Sequence, residues 1–408
     1  MHAKLIDRIL ARIVKKGRLV LRHSDGRVID FGREVAGYPD IVIRFTDDQV
    51  ARDIIHDPRL GAGECYMDGR IVIEVGDVMQ FVQLIQSNAP WGKRGRLHKP
   101  TVLRRLRNNA VSLAHSFNNA TKSRKNVAHH YDVGNDLYEM MLDSGYMQYS
   151  CGYWPSDDIS LEEAQVAKLA HIAAKLALEP GQRVLDIGCG WGGMAIYLAQ
   201  HHNVEVHGIT LSQEQLALAQ KRAEKAGVAD RVRFELVDYR DLAQRGLTFD
   251  RIVSVGMFEH VGVPQFDGYF RACASLLKDD GVMLLHTIGR MGSPGRTDAF
   301  TDKYIFPGGY IPSLSETVAS SEKSRLIATD IETLRVHYAK TLRQWYQRCI
   351  ENRDAIVAMY DERFFRMWTF YLAGATAAFE SGGMCNYQIQ YARNRYALPL
   401  TRNYMLDK

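Results

Sequence analysis

At 408 residues, with 46% hydrophobic and 24% charged side chains, the chain has the size and composition of an ordinary two-domain globular protein. No run approaches the ~18 apolar residues of a membrane-spanning helix, and the six cysteines contain no Cys-x-x-Cys pair or zinc spacing, so reduced thiols in a cytoplasmic protein and no metal are the simplest reading. The net charge of +5 is unevenly placed, because ten basic residues and no acidic ones lie between Asp77 and Asp132.

In chain order, Met1 to Leu21 scatters Lys4, Arg8, Arg12, Lys15, Lys16 and Arg18 among Leu and Ile, the pattern of an amphipathic helix rather than a signal peptide. Val28–Phe31 and Ile41–Phe45 alternate as strands. Ile71–Glu74 is a third strand, after a turn at Gly63 to Gly69. Residues 1–88 thus read as a small α/β domain, 89–128 as a basic linker and 129–408 as a catalytic domain. The basic charges, Arg104, Arg105 and Arg107 among them, suit either an anionic surface or a solvated linker. With no nucleic-acid motif beside them, a phospholipid surface ranks above nucleic acid.

The catalytic domain alternates helix and strand in the doubly wound α/β manner. Ser160 and Glu163 form a capping box ahead of a helix. Strands follow at Arg183–Ile187, Val204–Ile209, Val232–Val237, Phe249–Val255 and Val282–Thr287, with a helix from Ser212 to Ala226 stopped by Gly227. An insertion from Gly289 to about Thr329 has the length of a lid or substrate channel. Helices are expected at Tyr338–Cys349, Ile350–Tyr360 and Phe364–Phe379.

The chemistry concentrates at strand ends. Val184 to Gly193 reads as an apolar strand running into Asp186-x-Gly188-x-Gly190-Trp191-Gly192 and then a helix. Residues without Cβ let backbone approach a nucleotide-like ligand. The spacing differs from the dinucleotide fingerprint Gly-x-Gly-x-x-Gly and is that of S-adenosylmethionine-dependent methyltransferases, where the acid suits a cationic tail. The next strand ends in Thr210-Leu211-Ser212 with no acid for ribose hydroxyls, leaving Gln215 and the Thr210 backbone as candidates. Asp238-Tyr239-Arg240 would flank the adenine. Two further segments stand out: His130 to Tyr138 followed by Tyr149 to Trp154, and Phe258-Glu259-His260, whose carboxylate sits where a methyl acceptor should lie, supported by His286 and Tyr338.

Together these motifs, with His337-Tyr338-Ala339-x-Thr341-Leu342, resemble the cyclopropane-fatty-acyl-phospholipid synthase family, which includes the mycolic acid cyclopropane synthases, over about residues 120 to 395. The resemblance implies a Rossmann-like class I methyltransferase domain and a cis acyl double bond that attacks the S-adenosylmethionine methyl group. It implies a bicarbonate base held by Cys151, Glu259, His286, Ile288 and Tyr338. Cofactor contacts carried over by it are Tyr149, Ser150, Gly188, Gly190, Thr210, Leu211, Gln215, Tyr239 and Arg240, to which the glycine turn adds Asp186, Trp191 and Gly192. Expected partners are an unsaturated phospholipid at the inner membrane face and a second copy in a homodimer. Proton loss from a neighbouring carbon would instead give a methyl-branched or methylene product. A small non-lipid acceptor, or a lipid-binding protein with a retired site, are more distant alternatives. Ala375 stands where many members have cysteine, Glu380 where Arg is common, and Met147-Gln148 where Met-Thr is usual.

Overall fold

The computed structural model describes residues 1–93 and 134–406. Most of the basic stretch and His130 to Val133 lie outside the described residues. Two compact units form: the smaller from residues 1–93, 297–307 and 339–383, the larger from 134–296, 308–338 and 384–406. The expected linear boundary near residue 88 does not anticipate the two later segments that complete the smaller unit.

In the smaller unit, strands β1 (Gly17–Arg22), β2 (Val28–Arg33), β3 (Asp40–Phe45) and β4 (Ile71–Val75) form a sheet of order β2-β1-β3-β4. β1 runs antiparallel to β2 and parallel to β3, and β3 runs antiparallel to β4. Leu19, Leu21, Ile41, Ile43 and Phe45 pack there with Ile6 and Val14. The amphipathic helix covers only His2–Ile13. At Val14 (φ −80°, ψ 107°) the backbone leaves helical space, and after the left-handed Gly17 (φ 76°) the period is two, burying Leu19 and Leu21 while Arg18 and Arg22 are exposed.

The expected turn at Gly63 is also corrected. Pro58–Met67 is a helix, started by Asp57, whose side chain accepts the Leu60 N–H. Gly63 is there for closeness: a Cβ on it would lie 2.4 Å from the Phe300 ring. Glu64, next along, accepts from Lys303 Nζ at 2.6 Å and Tyr304 Oη at 2.7 Å. Gly63→Ala is therefore expected to destabilise this unit by about 1–3 kcal/mol, read by thermal or urea unfolding. An unchanged midpoint would show that the Phe300 ring moves aside freely.

The larger unit has a seven-stranded sheet of order β10-β11-β9-β8-β5-β6-β7. The strands are β5 (Arg183–Ile187), β6 (Glu205–Thr210), β7 (Val232–Leu236), β8 (Phe249–Val255), β9 (Leu277–Arg290), β10 (Ile327–Leu334) and β11 (Met384–Ala392). β7, β6, β5, β8 and β9 are parallel neighbours, whereas β11 is antiparallel to both β9 and β10. Both faces are covered, as a doubly wound sheet requires. Leu185, Ile209 and Leu285 pack with Phe266 and Phe270 on one side, and Val184, Val206 and Leu284 with Leu169, Ile172 and Leu198 on the other. The Ser160–Glu163 capping box is formed and starts the helix Leu161–Leu176. Chain order reverses beside β5, so the crevice beyond the carboxyl ends of β5, β6 and β8 is the natural ligand site.

Candidate active site

The crevice holds a cavity whose walls come from the ends of β5, β6, β7 and β8 and from the loop at residues 147–150. Tyr149, Ser150, Asp186, Gly188, Gly190, Trp191, Thr210, Leu211, Gln215, Tyr239 and Arg240 all line it. Gly192 does not. It caps the helix Gly193–His202 in a left-handed conformation (φ 79°), and its neighbours Gly188 and Gly190 take φ of 81° and 54°. The alternation of glycines is thus demanded by three left-handed turns that other residues adopt at a cost of about 1 kcal/mol or more each.

Asp186 is buried at the β5 end, and burial pushes its carboxyl up to about 7. Its Oδ2 accepts no hydrogen bond from the described residues. A buried carboxylate without a partner is costly, and a cationic ligand tail would relieve it. Thr210 Oγ1 donates to Gln215 Oε1 at 2.9 Å and accepts the Ser212 N–H at 3.2 Å, which rigidifies the β6 end in the absence of an acid. At the β7 end Asp238 is buried and grips Arg240 through Nε at 2.8 Å and a terminal nitrogen at 2.7 Å. The Arg240 guanidinium lies 5.4 Å from the Tyr239 ring centre.

The loop at 147–150 is held from behind. Met147 takes φ 51°, Asp143 accepts the N–H groups of Tyr146 (2.7 Å) and Gln148 (2.6 Å), and Gln165 donates to the Ser150 carbonyl at 3.0 Å. Lys168 is fully buried and donates to Gln148 Oε1 and, at 2.9 Å, to Ser150 Oγ. Burial pulls its ammonium down to about 8. Tyr138 packs between Trp191 (4.9 Å) and Tyr149 (5.1 Å), and Trp191 Nε1 donates to Asn135 Oδ1 at 2.9 Å. This explains why Asn135 and Tyr138 accompany the glycine turn in the sequence. Asp238 and His260 stand within the motifs read from the sequence, whereas Lys168 is not singled out there. A lysine on the apolar face of a helix was the one available signal for Lys168.

The other five expected residues do not line this cavity, although it reaches His260, next to Glu259. Glu259 lies on a short turn after β8, and its Oε1 accepts the Ile288 N–H at 2.6 Å. Its Oε2 is buried without a hydrogen bond. Burial, opposed by that N–H, pushes the carboxyl up to about 7. His286, two residues before Ile288 on β9, is fully buried, which holds it well below the usual histidine range and therefore neutral. Cys151 is buried, and burial pushes its thiol up, so it remains a thiol, donating to the Gly152 carbonyl at 3.3 Å. Tyr338 is buried in the first turn of the helix His337–Glu351. The structure therefore joins Glu259 to Ile288 directly, with His286 on the same strand, and places Cys151 and Tyr338 on separate buried elements.

Comparison with known proteins matches the family model "Mycolic acid cyclopropane synthetase" to residues 118–389. The cyclopropane-fatty-acyl-phospholipid synthase of Escherichia coli K12 is 40% identical over 366 residues, 89% of this chain and 90% of the relative. Tuberculostearic acid methyltransferase UfaA1 of Mycobacterium tuberculosis is 32% identical over 95% of this chain and 90% of its own length. Among solved structures, the mycolic acid cyclopropane synthase CmaA1 complexed with SAH and CTAB superposes with a TM-score of 0.61 at 33% identity, covering 66% of this chain and 97% of that one.

Proposed function

The chain belongs to the mycolic acid cyclopropane synthetase family, and we propose that it adds a methylene group from S-adenosylmethionine across the cis double bond of an unsaturated phospholipid acyl chain. The observation that carries this reading is the buried Glu259 carboxyl, with Oε2 without a hydrogen bond and Oε1 on the N–H of Ile288, whose strand also carries the neutral His286 two residues earlier. S-adenosylmethionine supplies an electrophilic methyl group, and bicarbonate, where bound, supplies the base that takes a proton from that methyl as the ring closes. The donor set fits such an ion: Glu259, seated on the Ile288 N–H, can accept a hydroxyl proton, and the neutral His286 can offer a ring N–H.

An alkene is a weak nucleophile, so the chain's own residues act mainly by positioning and dryness. Asp186 meets the cationic tail, and Lys168 fixes Gln148 and Ser150 in the wall. Trp191, Tyr138 and Tyr149 present electron-rich rings. The buried Glu259, His286 and Cys151 keep bulk water from a cation that water would quench to an alcohol. A methyl-branched or methylene product is the second reading, favoured by the similarity to a tuberculostearic acid methyltransferase over 95% of the chain.

Release of S-adenosylhomocysteine should depend on liposomes of cis-monounsaturated phospholipid and vanish with fully saturated ones. Release with a soluble amine or hydroxyl acceptor instead would overturn the lipid assignment.

We place the protein at the inner membrane face as a homodimer, with the N-terminal unit presenting lipid or joining the copies. No helix among the described residues is long and apolar enough to cross a membrane. The basic stretch supports surface attachment. Reversing Arg104, Arg105 and Arg107 to Glu is expected to weaken partitioning onto anionic liposomes by at least about 100-fold, since three attractions of about 1 kcal/mol each are lost and repulsion is added. Unchanged partitioning in a sedimentation assay would make the segment a linker only.

A further inference from the structure

His286 sits on β9 opposite Gln388 of β11, and Asn386 lies two pairs along, opposite Ile288. Gln388 Nε2 is 3.1 Å from His286 Nδ1. The other end of the same amide, Oε1, accepts from Lys175 Nζ at 2.9 Å. Lys175, buried at the end of the helix Leu161–Leu176, also donates to Glu332 Oε2. That oxygen lies 2.6 Å from His171 Nε2, and the His171 ring stacks on Tyr153 with centres 4.2 Å apart. A chain of polar contacts thus runs from half-buried His171 and Glu332 to the fully buried His286.

The chain has a direction. Against the upward push of burial, His171 and Lys175 hold the Glu332 carboxyl down to about 2, so it is ionised. Beside it Lys175 is an ammonium, although burial pulls its pKa below the usual lysine value. An ammonium only donates, so the Gln388 atom facing it must be the oxygen. The Gln388 amide nitrogen then faces His286 Nδ1, which must accept. A neutral imidazole that accepts at Nδ1 carries its proton on Nε2. On that side Asn386 Nδ2 lies 3.4 Å from Nε2 while Asn386 Oδ1 is buried without a partner. Turning that amide by half a revolution presents Oδ1 to the Nε2 proton and satisfies the orphaned oxygen.

We propose that Lys175, Gln388 and Asn386 are positioning residues that fix His286 as the neutral tautomer protonated at Nε2. The consequence for catalysis rests on the assignment of His286 to the site made above: the ring proton is fixed on Nε2, where an oxyanion would take it in place of Asn386 Oδ1. The tautomer itself does not rest on that assignment.

The test is a two-bond nitrogen–proton correlation spectrum of the full-length protein with 15N-labelled histidine, His286 being identified by its loss in His286→Gln. The expected spectrum has Nε2 protonated and Nδ1 bare. Gln388→Glu offers a carboxylate to Nδ1 and is expected to move the proton there or to charge the ring. Lys175→Met frees the amide and is expected to mix the two neutral tautomers, whereas Lys175→Arg keeps a donor and the wild-type pattern. Nδ1 protonated in the wild type, or Nε2 still exclusively protonated in folded Gln388→Glu and Lys175→Met, would overturn the proposal. In the same samples kcat is expected to fall about 10-fold in Gln388→Glu, as when other histidine-orienting partners are lost, with KM for S-adenosylmethionine little changed. A shifted tautomer with unchanged kcat would uphold the relay and remove His286 from the reaction.

Discussion

Glu259→Gln is expected to fold, bind S-adenosylmethionine as the wild type does, and turn over at least about 100-fold more slowly. The amide oxygen can still accept the Ile288 N–H, so local geometry is kept. What is lost is a group that can exchange a proton, poised by burial at about pH 7. Cofactor affinity should hold because Glu259 does not line the cavity.

A stability signature should accompany the loss. In the unfolded chain Glu259 titrates near 4.5, and in the folded protein at about 7. Below pH 4.5 the group is protonated in both states and the wild type loses nothing. As pH rises from about 4.5 to about 7 the unfolded chain sheds the proton and the folded one keeps it, so the wild type is progressively destabilised, by up to about 3 kcal/mol. Glu259→Gln lacks this titration. Its melting temperature relative to wild type should therefore rise across that window and level off above it. Parallel pH profiles would show that Glu259 is not held as described, and wild-type turnover in the folded variant would remove it from the mechanism.

Asp186→Asn is expected to raise the dissociation constant for S-adenosylmethionine by about 100-fold or more, since it removes one side of a buried charge pair. Asp186 titrates at about 7 because of burial. A cationic tail binds the ionised form, so wild-type affinity should climb as pH rises towards about 7 and then flatten, with proton release on binding below that point. The asparagine variant should lose this climb. Calorimetric titration in buffers of different ionisation enthalpy reads both affinity and proton release. An affinity independent of pH in the wild type would place the cationic tail elsewhere.

The carboxyl ends of the strands were legible because their signals are local. β5 and β8 coincide with Arg183–Ile187 and Phe249–Val255, and the glycine turn needs only three left-handed residues in sequence. Eleven of the residues expected to contact the cofactor line one cavity, since strand-end loops of a doubly wound sheet must meet there. Less was legible where two signals overlap. Gly17–Arg22 continues the basic pattern of the preceding helix, which ends at Ile13 with no breaker residue before the left-handed Gly17. The helix through Gly63 resembles a turn because its close packing against Phe300 demands a glycine. β11 was not anticipated although Cys385, Tyr387, Ile389 and Tyr391 alternate strictly. Its other face carries Asn386, Gln388 and Gln390, which imitate a solvated face but are buried as the partners of His286, Lys175 and Tyr404. Such polar partners are set by tertiary contacts, 102 and 213 residues away for Gln388, and no local pattern records them.

The most direct measurement is proton NMR of lipid recovered after incubating the purified protein with S-adenosylmethionine and liposomes of a cis-monounsaturated phospholipid. Ring and methylene products are isomers, so mass does not separate them, whereas cyclopropyl protons are strongly shielded. Upfield cyclopropyl signals, growing in step with loss of the vinylic ones, are the predicted result. Methyl-branched or exocyclic methylene signals without them, or unchanged lipid, would contradict it.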